Sequence, residues 1–248
     1  METATGIAEP APRRGYHHGG LREALIEAGV ALARTGGPDA VVLRAASRAA
    51  GVSHNAAYRH FADHEDLIAA VGERCMHHLG RLMLERAARA TAPDPATRAG
   101  DRLEAIGRAY VDFALTEPGW FRTAFSGASP GGKRLCAPEP EPPAAEAAEA
   151  AEAADRDVRA DRDVRADPGT DPYLILGAAL DDLVEAGAMP AEHRPGAQYA
   201  AWSAVHGLSA LLVDGPLRTL PPAEVESATD AVLAVVGRGL VTPPPPAG

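Results

Sequence analysis

The stretch Leu43–Leu67, LRAASRAAGVSHNAAYRHFADHEDL, decides how this chain is read. Leu43, Ala46, Ser47 and Ala50 fall at i, i+3, i+4 and i+7, so they share one helical face. Gly51 follows that face directly, where a helix stop needs a residue that tolerates positive φ. Ser53 then occupies an N-cap position ahead of HNAAYRHF. Ala57 and Phe61, four apart, turn back toward the first helix and leave His54, Asn55, Tyr58 and Arg59 facing outward. Two short helices joined by a tight turn, the second with a polar outer face, make a helix-turn-helix whose second helix enters a DNA major groove. Asp63 can cap the next helix, with Asp66 three residues on in capping-box spacing.

These residues resemble the tetracycline-repressor (TetR) family of transcriptional regulators. The resemblance stands as Ser47…Gly51-Val52-Ser53…Ala57-Tyr58-Arg59-His60-Phe61, followed by Asp63-His64-Glu65-Asp66-Leu67. It implies DNA contacts from Arg44, Ser53, His54, Asn55, Tyr58, His60 and His64. Among them Tyr58 and His60 would hold phosphates, and Asn55 and His54 would touch bases. The pattern departs from the family in four places. Ala46 and Ala57 stand where bulkier aliphatics are common, Val42 where a capping Thr is common, and His64 where Lys is usual. Lys would reach a phosphate as a permanent cation, whereas histidine ordinarily titrates near about 6.5. Tighter operator binding at pH 6 than at pH 8 is therefore expected if the complex favours the protonated ring.

Composition supports an all-α protein. Apolar residues make up 46% of the 248, yet aromatics only 4%, so the core must be mainly Ala, Leu and Val. Alanine richness favours helices. The net charge of −10 looks wrong for a DNA binder, but its distribution is uneven. Residues 13–62 carry seven Arg against three acids, and the remainder carries 17 basic against 31 acidic residues. A basic head on an acidic body binds DNA locally and repels it elsewhere. Cys75 and Cys136 lack ligand-like spacing, which suits a reducing cytoplasm. No apolar run reaches the roughly 20 residues that span a bilayer, and no signal-peptide core is evident, so no membrane partner is expected.

Outward from the head, residues 1–14 read as a flexible arm ending in Arg13 and Arg14, and 15–66 as the DNA-binding domain. The first helix is expected at about 20–35 and the fourth from Asp63 to about 90. Adjacent His17 and His18 lack a carboxylate or Cys to complete a site, so no metal is expected. Residues 67–240 read as a helical ligand-binding and dimerisation domain. Within it, helices are expected at about 97–117, over WFRTAFS, after Asp171, at about 195–214 and at about 222–239. The segment 128–169, Pro- and Glu-rich with DRDVRA twice in tandem, reads as a disordered insert whose removal would cost little stability.

Tyr110, Phe113, Trp120 and Phe125 hold much of the body's aromatic surface and, with His206, are candidates to line a small-molecule pocket. Ordinary core packing explains each of them equally well. Trp202…His206-Gly207 is similar to the signature of the WHG subgroup of TetR ligand domains. Trp202, Leu208 and Leu212 on one helix, and Val225 and Val232 on the last, form the apolar stripes that a four-helix dimer interface requires. A dimeric repressor of a palindromic operator, released by a small-molecule effector, is therefore expected. A DNA-binding activator or architectural protein shares the same head. A histidine-based enzyme is the distant alternative, because none of the His forms HExxH or sits in a nucleophile motif. No cofactor is expected.

Overall fold

The computed structural model describes residues 18–127 and 168–240. The arm at 1–14, His17, the 128–167 part of the expected insert, Cys136 and the Pro-rich tail lie outside these residues. Among the described residues there is no strand, and helices carry the architecture: α1 (His18–Gly36), α2 (Leu43–Ala49), α3 (His54–Ala57), α4 (His64–Ala87), α5 (Pro95–Thr116), α6 (Pro118–Ala124), α7 (Pro172–Glu185), α8 (Arg194–Val213) and α9 (Pro222–Leu240).

The head closes because local signals agree with burial. Gly51 has φ of 69°, the Val52 N–H donates to the Ser47 carbonyl and the Gly51 N–H to the Arg48 carbonyl. That pair of bonds is a Schellman stop, which requires the left-handed residue that glycine supplies. The Ser53 hydroxyl then accepts from the Ala56 N–H at 3.3 Å and starts α3. Regular α-helix covers only 54–57, shorter than the full HNAAYRHF expected. The following turn tightens, with His60 N–H on the Ala57 carbonyl, and this rotation brings Phe61 into the core with Leu43, Ala46 and Ala57. Asp63 caps α4 by accepting from the Asp66 N–H at 2.9 Å. The capping box is offset by one residue, since the Asp66 carboxylate accepts from Ala62 rather than from Asp63.

Val42 is the N-cap of α2 and offers no side-chain acceptor, and its side chain is exposed. Its backbone is extended, at φ −107° and ψ 140°, as a capping hydroxyl needs. Val42→Thr is expected to raise unfolding free energy by about 1 kcal/mol, read from the urea midpoint. An unchanged midpoint would mean that water already satisfies the free N–H groups.

α4 spans 24 residues, about 36 Å at the usual helical rise, and carries the head to the body. Arg74 on α4 pairs with Glu23 and Glu27 of α1, fixing the two helices. In the body α5 is the central helix, touching α4, α6, α7, α8 and α9. Its inner face buries Leu103, Ile106, Tyr110 and Phe113. Asp94 and Asp171 cap α5 and α7, each with proline in the first helical turn. α8 is kinked at Pro195 and Gly196, the latter at φ 82°.

Candidate nucleic-acid interface and ligand cavity

Arg44, Ser53, His54, Asn55, Tyr58 and His64 are exposed on one end of the molecule, and His60 is half-buried. The Ser53 hydroxyl is committed to capping α3. Tyr58 is 51% exposed and its ring meets His54 edge-on at 4.8 Å. This places an exposed phenol beside the outer face of α3, where it can donate to a phosphate while Asn55 stays free for a base edge. Arg48 and Arg59 are also exposed here, and Arg22 sits over the Phe61 ring at 5.2 Å.

The aromatic residues of the body divide into two groups. Trp120 leaves the expected pocket altogether. Its indole N–H donates to the Val30 carbonyl of α1 at 2.8 Å, its ring stacks on His78 at 4.7 Å, and the Arg34 guanidinium lies over it at 5.2 Å. Phe113 stacks beside Trp120. A half-buried indole N–H turned away from water needs an acceptor, and the carbonyl on α1 supplies it, so this ring joins body to head. Arg34 also pairs with Glu117, the residue that opens α6. That contact holds the Arg34 guanidinium above its ordinary value.

The second group surrounds Tyr110. Its hydroxyl meets His206 Nδ1 at 2.9 Å, and Phe121, Phe125 and Trp202 pack around its ring. Burial raises the Tyr110 phenol well above its ordinary value and lowers His206, so the pair is a neutral hydrogen bond. On the other side of Tyr110 a cavity of about 490 Å³ opens between α5, α8 and α9. Of the residues proposed from sequence, Tyr110 lines it and Phe113, Trp120, Phe125 and His206 do not. Its walls are Leu103, Ile106, Leu176, Trp202, Val205 and Leu233, with Glu104, Arg108 and Asp230 as its charged groups. These residues come from helices far apart in the chain, and only the Glu104–Arg108 spacing on α5 was open to sequence reading. The volume is in the range of small-ligand sites. Trp202 Nε1 and Ser209 Oγ have no hydrogen-bond partner within the described residues.

The expected dimer stripe needs correction. Trp202 is 2% exposed, and Leu208 and Leu212 are also buried within a single chain, against α5 and its neighbours. Val225 and Val232 are half-buried against the same core. The exposed side of α8 is the opposite one, with Tyr199, Ser203 and Leu211 at helical spacing, and α9 exposes Ala231, Ala234 and Val235.

His77, His78 and His206 are all lowered from their ordinary values, with burial as the main cause and Arg81 and Arg74 adding to it at His78. Arg81 donates to His78 Nδ1 at 2.6 Å, which requires the neutral ring. A depressed folded-state pKa gives stability that is full above the ordinary histidine value and is lost as pH falls through the folded value. The melting temperature is expected to fall between pH 7.5 and 5.5, and to fall less in His78→Gln. An equal fall in the variant would show that His78 does not contribute to the pH dependence.

Cys75 is buried, which pushes its thiol up to about 12 and leaves it unreactive. Among the described residues no group of His, Cys, Asp and Glu is placed to hold a metal ion, and no helix is long and apolar enough to cross a membrane.

Comparison with known proteins agrees with the head and the body separately. Residues 25–71 match the model for bacterial regulatory proteins of the tetR family, and residues 152–236 match the tetracyclin repressor-like C-terminal domain. The second match begins within the stretch read as an insert. No curated protein matches the chain. A protein of unknown function from Rhodococcus sp. RHA1 is similar in structure, at 24% identity and a TM-score of 0.62, over 93% of this chain and 100% of that one. A candidate TetR-family regulator from Mesorhizobium loti MAFF303099 has 14% identity and a TM-score of 0.56, over 92% and 100%. At these identities the structures speak for the fold, and the two sequence models, which together cover more than half of the chain, speak for the family. The chain belongs to the tetR family of bacterial transcriptional regulators.

Proposed function

We propose that the protein is a dimeric repressor whose heads, residues 15–66, bind the two halves of a palindromic operator, and whose bodies, residues 67–240, release it when a small molecule fills the cavity beneath α9. The observation that carries this reading is the two-sided contact of α6. One side rests on α1 of the head through Gly119, Trp120 and Glu117. The other packs Phe121 and Phe125 on Tyr110, which lines the cavity. A ligand that displaces Tyr110 would therefore move α6 and tilt the head. Ligand and operator then favour different separations of the two heads, and that differential affinity is what releases DNA.

A second copy of the chain docks, in this reading, on the exposed side of α8 and α9. Gly207 supports it. It lies mid-helix on that side, and a Cβ added there would meet nothing in its own chain. Glycine in a helix interior costs about 1 kcal/mol relative to alanine, so close approach by a partner helix accounts for it.

The head is tested on a duplex selected by the protein itself. Tyr58→Ala is expected to weaken all sequences alike, by about 1–2 kcal/mol for a hydrogen bond to a charged phosphate. Asn55→Ala is expected to relax preference at one base pair instead. His64→Lys, which places a permanent cation at the exposed start of α4, is expected to tighten binding at pH 8 and steepen the salt dependence by about one phosphate contact. A change of sequence preference in Tyr58→Ala larger than its change of affinity would overturn the assignment.

A further inference from the structure

The charge at the cavity mouth is lopsided. Among the described residues Arg108 is its single lining cation, and three carboxylates surround it. Its Nη2 lies 2.5 Å from Asp230 and 3.1 Å from Glu104, and its Nη1 is 3.6 Å from Glu226. One positive charge against three negative leaves a surplus of two negative charges where α5 meets α9. The guanidinium is already committed. The same contacts raise Arg108 above its ordinary value, so it stays charged. A carboxylate or phosphate entering here would find its only partner occupied and three like charges around it. Behind this mouth the walls are aliphatic, apart from the rings of Tyr110 and Trp202.

From this arrangement we infer that the cavity takes a lipophilic cation: an apolar body carrying one ammonium or delocalised positive charge. The body replaces empty space between Leu103, Val205 and Leu233 and gains burial at roughly 25 cal/mol per Å². The charge stays at the mouth, beside Glu104 and Asp230, without losing all of its water. An aromatic wall adds attraction to a cation that reaches it. The mouth lies on α9, so the cation also bridges α5 to the helix that bears the proposed dimer face. The inference rests on the reading of this cavity as the effector site.

The experiment uses the full-length chain and three fluorescent probes of comparable size: rhodamine 6G as the cation, Nile red as the neutral compound and anilinonaphthalene sulfonate as the anion. Rhodamine 6G is expected to bind at least about tenfold more tightly than the sulfonate, one charge interaction at a half-exposed site. Glu104→Gln combined with Asp230→Asn is expected to remove that advantage and leave Nile red unchanged. Gly237 lines the cavity and an added Cβ there meets no other atom, so Gly237→Phe is the variant chosen to fill the space. It is expected to abolish binding of rhodamine 6G and Nile red alike. Equal or tighter binding of the sulfonate, absence of binding by every probe, or full rhodamine 6G binding to Gly237→Phe would overturn the assignment. Operator release is measured separately. Rhodamine 6G bound as expected on an intact operator complex would support the ligand class and contradict the effector reading.

Discussion

Gly119→Ala is expected to lower the unfolding free energy by about 3 kcal/mol, the upper end for an overpacked site. A methyl group at this position would run into the backbone carbonyls of Ala33 and Arg34, at the end of α1. Neither carbonyl can swing aside as a side chain can, so α6 must lift off α1. Lifting it strains the Trp120 hydrogen bond to Val30 and the Arg34–Glu117 pair, which hold the body to the head. Gly100→Ala is the control: the site is also helical, and an added Cβ there meets nothing. That change should be neutral or stabilising by up to about 1 kcal/mol. Urea unfolding of the two variants checks both expectations. A Gly119→Ala protein as stable as Gly100→Ala would show that α6 is free to shift, and would remove the bridge between cavity and head.

The second large effect concerns assembly. Leu211 is 43% exposed and Val235 is 61% exposed, so replacing both with Glu leaves the fold of one chain intact. Buried against a second copy, four carboxylates per dimer would lie unpaired in an apolar contact. The variant is expected to sediment as a folded monomer. Operator affinity is then expected to fall by about 100-fold or more, because the second head no longer binds at high effective concentration. Glu at Leu212 would instead confuse association with core damage, since Leu212 is buried in its own protomer. A folded dimer with both Glu residues would refute this face as the interface.

The parts of the fold that were legible in the sequence are those set by nearest neighbours. Gly51, Ser53 and Asp63 act through their own backbone and the next few residues, and each does in the structure what its position implied. α4 starts at the Asp63 cap as expected but ends at Ala87 rather than near 90, and α5 starts at Pro95 under an unread Asp94 cap rather than near 97. α8 was harder. It is apolar nearly all round, with Trp202, Val205 and Leu212 on one side and Tyr199 and Leu211 on the other. Periodicity finds such stripes but does not tell which one meets the rest of the chain. The cavity was hidden for a different reason: α4, α5, α7, α8 and α9 all contribute to it, and no local pattern announces their convergence. Trp120 was misread because its size was weighed and its N–H was not. The hydrogen-bond requirement of that group, together with the small Gly119 before it, pointed to a close contact with another helix.

The proposed function requires two heads on one DNA site. Selection of bound duplexes from a random library by the full-length protein, followed by sequencing, tests that claim. The expected result is an inverted repeat whose half-sites are centred about one or two helical turns apart. Asn55→Ala should lose preference at one symmetric pair of positions within it. Recovery of no enriched sequence, or of a single half-site without symmetry, would contradict the account.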